Sequence, residues 1–209
     1  NARTTASSLF MKSLPLDAHS MCHRTVPADY DATAAGLRRF RAQALRECVL
    51  ERLEWQKHAF LAGLVLRDRR NRIWLTISTR VNPWTRAASS RVRDGYVAVV
   101  DEHGLRVVAE GFYFTNEIRL DAKEEWLYIV ETTGPHISRM RLIESPQGVL
   151  LRDREVFGPV HLGGFPDGIA FDAEGNLWCT LIMVDQLIAL TPQGDKLILW
   201  DDGDPAASA

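Results

Sequence analysis

Asn116 and Asp167 are the residues of this sequence whose types and placing point most directly to chemistry. Asn116 stands five residues before Asp121 (116 to 121), and Asp167 stands five before Asp172 (167 to 172). An amide oxygen and a carboxylate brought to one point suit a hard cation, Ca2+ first, with Mg2+ and Mn2+ as alternatives. Zn2+ also accepts such oxygens, although none of the Cys or His donors it prefers joins the pair. Taken singly the two are ordinary turn residues, and Pro166-Asp167-Gly168 is a turn tripeptide. Only a repeat that relates them by rotation would make them a site.

That repeat is present. Gly63-Leu-Val-Leu-Arg-Asp68, Asn116-Glu-Ile-Arg-Leu-Asp121 and Asp167-Gly-Ile-Ala-Phe-Asp172 share one pattern of alternating apolar positions ending on Asp. Each passes through a short turn into an apolar run, at Ile73-Trp74-Leu75, Trp126-Leu127-Tyr128-Ile129 and Leu177-Trp178-Cys179. The aspartates lie 53 and 51 residues apart (68 to 121, 121 to 172), and turn glycines Gly104, Gly148 and Gly194 lie 44 and 46 apart. A period near fifty built of strands and turns predicts an all-β fold of β-propeller blades. Gly63, Asn116 and Asp167 then occupy equivalent points at the leading ends of the innermost strands, beside one channel mouth.

The strands expected are 64–66, 73–78, 96–100 and 105–109 in the first blade, and 117–120, 127–131, 137–142 and 154–157 in the second. The third takes 169–171, 177–181, 187–191 and 197–200. Residues 61–209 therefore form the propeller region, with about three blades where closed rings use ~4–8. Residues 1–60 do not follow the repeat. Ala32 to Phe60 has few breakers and an apolar line through Leu45, Val49, Leu53 and Phe60, which predicts a helical N-terminal segment. The missing blades are absent from the sequence given, supplied by partner chains, or replaced by this segment. The opening Asn1 is not an initiator Met, so something precedes it or has been removed.

An insertion, Thr79 to Arg93, interrupts the first blade. Its Trp84 and Arg86 could lean over the channel mouth and contact substrate, as could Glu117 beside the cation pair; a solvated loop pinned by Trp84 is the plainer reading. His103, His136 and His161 have no Ser or Cys at an interpretable spacing, and Ser89, Ser90 and Ser138 lack a nucleophile elbow.

A chain of 209 residues with 46% hydrophobic and 25% charged residues is globular, and its net charge of −2 offers no general attraction to nucleic acid or anionic membrane. Cys22, Cys48 and Cys179 show neither metal spacing nor a paired framework, which favours a reducing, cytoplasmic setting.

Phe114-Thr115-Asn116-Glu117, the run Trp126 to Gly134, and Gly163-Gly-Phe-Pro-Asp167-Gly-Ile-Ala-Phe-Asp-Ala-Glu-Gly-Asn-Leu-Trp178 resemble the SMP-30/gluconolactonase/luciferin-regenerating-enzyme family over about residues 62–204. The resemblance implies a six-bladed propeller, here partial, that holds one divalent cation near the channel mouth and hydrolyses a lactone or related cyclic ester. It implies Asn116 and Asp167 as metal ligands and Asp167 as the catalytic base for water. Three departures stand out. The family's early Glu-Gly-Pro segment, source of a third ligand, is absent, and Glu47, Glu51 and Glu54 do not match it. Gly63 replaces a substrate-contacting Asn, and Glu117 stands where many relatives have Gly.

The function expected is thus metal-dependent opening of a small lactone or ester, with a metal-polarised carbonyl and carboxylate-activated water, Glu117 assisting. The rivals are a non-catalytic metal- or ligand-binding propeller and an incomplete family member. An open ring would self-associate through its exposed edges.

Overall fold

Each repeat is organised by its aspartate, which closes the turn between the first two strands. Asp68 Oδ1 accepts from Arg72 N at 2.9 Å, Asp121 Oδ1 from Trp126 N at 3.0 Å and Asp172 Oδ1 from Asn176 N at 2.8 Å. In the first and third repeats the second carboxylate oxygen also accepts an indole N–H, from Trp74 at 2.9 Å and Trp178 at 2.8 Å. The turn anchor and the following strand are therefore specified together by local sequence.

The computed structural model describes residues 62–202. It holds twelve strands: β1 (Ala62–Arg67), β2 (Ile73–Ile77), β3 (Gly95–Asp101), β4 (Gly104–Phe112), β5 (Thr115–Leu120), β6 (Trp126–Glu131), β7 (His136–Ile143), β8 (Leu150–Phe157), β9 (Phe165–Phe171), β10 (Leu177–Ile182), β11 (Gln186–Leu190) and β12 (Lys196–Asp201). They form three four-stranded antiparallel sheets in chain order, β1 to β4, β5 to β8 and β9 to β12. Apart from Glu102–Leu105, the β3–β4 turn with the first two residues of β4, these belong to one compact unit, His58–Asp101 with Arg106–Ala209. The first strands lie side by side, β1 against β5 and β5 against β9. Three blades of a partial β-propeller result, as the repeat predicted. The helical stretch expected in residues 1–60, with Cys22 and Cys48, lies outside the described residues.

Two apolar layers join the blades. Trp74, Val97 and Val99 of the first pack on Ile118, Leu127, Ile129 and Met140 of the second. Tyr128, Val130, Ile137 and Phe157 of the second pack on Ile169, Leu177, Cys179, Leu181 and Ile188 of the third. Burying such side chains contributes about 1.5–3 kcal/mol each. The middle blade is covered on both faces, so β6 is buried at every position after Trp126, whereas β10 alternates buried and exposed throughout.

Twelve strands match the twelve expected, with longer bounds in places. β8 begins at Leu150, not Arg154, because Asp153 takes a positive φ of 54° and the pairing with β7 slips between Arg139 and Arg141, which breaks the alternation a sequence reading relies on. The insertion after β2 is not all loop: it carries a short helix α1 (Thr85–Ser90) whose Ala87 is buried. The turn glycines Gly104, Gly148 and Gly194 have φ of 90°, 98° and 89°, the left-handed geometry such turns demand. Among the described residues no helix is long and apolar enough to cross a membrane.

Candidate functional site

The innermost strand of every blade carries a bulge at the same place. Ala62 pairs with Ile77 and Val65 with Leu75, so Gly63-Leu64 lies opposite the single residue Thr76. Likewise Thr115 pairs with Glu131 and Ile118 with Ile129, leaving Asn116-Glu117 opposite Val130. Pro166 pairs with Leu181 and Ile169 with Cys179, leaving Asp167-Gly168 opposite Thr180. A bulge re-aims side chains that a regular pleat would send to alternate faces. Asn116 and Asp167 thus sit near the leading ends of β5 and β9, one residue and two residues after the strands begin.

The two side chains meet across the blade boundary: Asn116 Nδ2 donates a close hydrogen bond to Asp167 Oδ1. Both residues are half-buried. Thr132 Oγ1 lies 3.4 Å from Asn116 Nδ2 and donates to Pro166 O at 2.8 Å. Thr76 Oγ1 donates to Asn116 O at 2.7 Å while accepting from Leu64 N at 2.8 Å. Thr115 Oγ1 donates to Ile77 O at 2.5 Å. Hydroxyls from one blade therefore tie down the backbone that presents the next blade's site residue.

Glu117 follows Asn116 in the bulge and is engaged at both oxygens: Oε2 accepts from Ile169 N at 2.6 Å, and Oε1 pairs with Arg119. Trp84 is exposed at the start of α1 and its ring lies 6.2 Å from that of Phe114, two residues before Asn116; Arg86 is exposed on the helix. Gly63 holds the equivalent bulge position in the first blade without a side chain. Cys179 is buried on β10 opposite Ile169, and burial pushes its thiol up to about 12, so it is no nucleophile at neutral pH.

A second polar cluster adjoins this region. Glu131, fully buried, accepts from Ser138 Oγ at 2.5 Å, Tyr113 N at 2.8 Å and Arg154 Nη2 at 2.6 Å, and meets His136 Nε2 at 3.1 Å. His136 Nδ1 faces Gly134 O at 2.6 Å. The serine is bonded to the glutamate and not to the histidine, so this is no hydrolytic triad. Sequence reasoning had passed over Glu131. Its signal was a carboxylate at a position where the other blades carry buried Ile77 and Leu181.

The donor set fits a hard cation in kind. Turning the Asn116 amide by half a rotation about its last bond would present Oδ1 where Nδ2 now meets Asp167, giving two protein oxygens on one point. Among the described residues no three His, Cys, Asp or Glu side chains gather as a metal cluster.

Residues 62–202 match a family described as SMP-30/Gluconolactonase/LRE-like region. Among solved structures, a luciferin-regenerating enzyme aligns with a TM-score of 0.55 at 15% identity, over 66% of this chain and 45% of its own. A calcium-binding protein, regucalcin, from Agrobacterium tumefaciens aligns with a TM-score of 0.53 at 18% identity, over 65% and 43%. A gluconolactonase from Xanthomonas campestris gives 0.51 at 21% identity, over 66% and 46%. The likeness is one of fold, and the chain spans less than half the length of these proteins. No curated protein sequence matches it significantly.

Proposed function

The chain belongs to the SMP-30/gluconolactonase/LRE-like family, and from that premise we propose that it is a divalent-cation-dependent hydrolase opening a small lactone or related cyclic ester. The observation that carries this reading is the meeting of Asn116 and Asp167 from adjacent blades. Together they would hold one cation, Ca2+ in first place, since both donors are hard oxygens. When bound, the cation supplies positive charge that polarises the ester carbonyl and stabilises the oxyanion formed on attack.

Asp167 takes a proton from the attacking water. The water oxygen bonds to the carbonyl carbon, the ring C–O bond breaks, and the proton passes to the departing alkoxide, leaving an open hydroxy acid. Asn116, with its amide turned so that Oδ1 replaces Nδ2, would share the cation with Asp167. Trp84, exposed beside Phe114, offers an apolar face for the substrate ring, with Arg86 close in sequence for its polar groups. The substrate is a small molecule taken from the cytoplasm.

A non-catalytic, ligand-binding propeller is the second reading, favoured by Gly63: the first blade brings no side chain to the equivalent bulge. One experiment separates them. Hydrolysis of a panel of sugar lactones should require added Ca2+, stop with chelator, and fall by several orders of magnitude in Asn116→Ala and Asp167→Ala. Calcium binding without turnover would favour the second reading, and turnover indifferent to chelator would sink the first.

A further inference from the structure

We propose that Glu117 is a positioning residue: it reaches from β5 across the blade boundary and fixes the β9 bulge in the shape that presents Asp167. The proposal builds on the cation site described above but stands on its own geometry. Three backbone groups surround Asp167, and a different side chain holds each. Thr132 Oγ1 donates to Pro166 O at 2.8 Å, Thr180 Oγ1 accepts from Gly168 N at 3.0 Å, and Glu117 Oε2 accepts from Ile169 N at 2.6 Å. Ile169 is buried, so without that acceptor its N–H would be stranded away from water.

The contact is shaped at both ends. A Cβ added at Gly168 would lie 3.2 Å from Glu117 Oε2 and 3.4 Å from Thr180 Oγ1, so glycine leaves the space the carboxylate uses. Arg119 pairs with the other oxygen, Oε1, and its Nη1 donates to Ile118 O at 3.0 Å, which holds the carboxylate in its aim. Because Asn116 and Glu117 are neighbours in one bulge, both point at blade three: one touches Asp167 and the other holds the peptide two residues beyond it. The clamp therefore sets the distance between the two cation ligands.

The test compares Glu117→Ala and Glu117→Gln with the unaltered chain by amide hydrogen exchange at Ile169 and by calorimetric titration with Ca2+, after thermal melts establish that each folds. Glu117→Ala should speed exchange at Ile169 at least about tenfold and weaken Ca2+ binding by roughly 10–100-fold, as loss of an outer partner of a metal ligand does. Glu117→Gln keeps an acceptor oxygen and should restore most of the protection at Ile169. Unchanged exchange in Glu117→Ala overturns the clamp. So does unchanged Ca2+ affinity where the unaltered chain binds the ion. A chain that binds no Ca2+ would refute the cation site alone, and exchange at Ile169 would still decide the clamp.

Discussion

Thr76 and Thr180 occupy the same point of their blades, each opposite a bulge and each accepting the N–H of the bulge's second residue, Leu64 at 2.8 Å and Gly168 at 3.0 Å. The second blade has Val130 there and gains its restraint from outside, where Thr76 Oγ1 donates to Asn116 O. The hydroxyl thus acts on its own bulge in the first and third blades, and in the first on its neighbour's as well. Thr180→Val keeps shape and removes the hydroxyl, which accepts from Gly168 N and donates to Gly168 O at 3.5 Å. It should lower stability by about 1 kcal/mol, the usual worth of such a bond, and weaken Ca2+ binding several-fold; a melt and a titration check both. Full Ca2+ affinity in this variant would mean that the hydroxyl does not shape the site.

Stability should peak at mildly acidic pH because of Glu131 and His136. Burial alone would push the Glu131 carboxyl up, but hydrogen bonds from His136, Ser138 and the Tyr113 N–H, with the Arg154 charge, outweigh it and hold the group at about 2. Its contribution, on the order of 3 kcal/mol, is full above the ordinary carboxylate value near 4.5 and disappears as pH falls toward about 2. Burial likewise lowers His136, and the hydrogen bond and charge of Glu131 outweigh that and raise it above 6.5. The imidazolium's contribution is therefore full below 6.5 and is lost as pH rises through its folded value. Melting temperatures measured from pH 3 to 9 should rise and then fall, and Glu131→Gln should flatten the acid limb while costing about 3–5 kcal/mol, since Arg154 loses its buried partner. An unchanged acid limb in that variant would remove Glu131 from the account.

The contrast between these two regions explains what a sequence reader can find. Asp68, Asp121 and Asp172 were legible because each acts within six residues of itself, closing a turn and, in two repeats, gripping an indole. Asn116 and Asp167 were legible because the repeat counts them out at equal intervals. The bulges were hidden: two residues opposite one interrupt the period-two pattern, so the strands read as starting later than Thr115 and Phe165. Glu131 was hidden too, since its partners come from Tyr113, the β7 hairpin and Arg154, which only the folded sheet assembles. The role of Glu117 depends on Ile169, a residue 52 positions away.

Cys179 should resist modification in the folded protein. Burial pushes its thiol up to about 12, so almost none is ionised at neutral pH and little of it is reachable. Iodoacetamide at pH 8 should label this position only when denaturant is present, as read by mass spectrometry of the peptide that contains it. Labelling of the native chain at the rate of an exposed cysteine would show that the third blade opens at its second strand.

The third blade presents the face that the first two cover. Trp74, Tyr128 and Trp178 are equivalent in register, and their exposures are 0%, 6% and 39%. Two residues past the Thr76, Val130 and Thr180 position, Ser78 and Thr132 are 2% and 8% exposed while Ile182 is 43%. Leu197 and Leu199 on β12 extend the exposed apolar area. Apolar patches of this kind on single chains are commonly sites of association, and among the described strands β12 is the outermost of its sheet. The purified chain should therefore associate in a concentration-dependent way, and Ile182→Lys, which places a charge on that face without touching Asn116 or Asp167, should shift it toward monomer. Analytical ultracentrifugation over a hundredfold range of concentration gives the answer. A monomer at every concentration would show that the face needs no partner, whereas association unaffected by Ile182→Lys would put the contact elsewhere on the molecule.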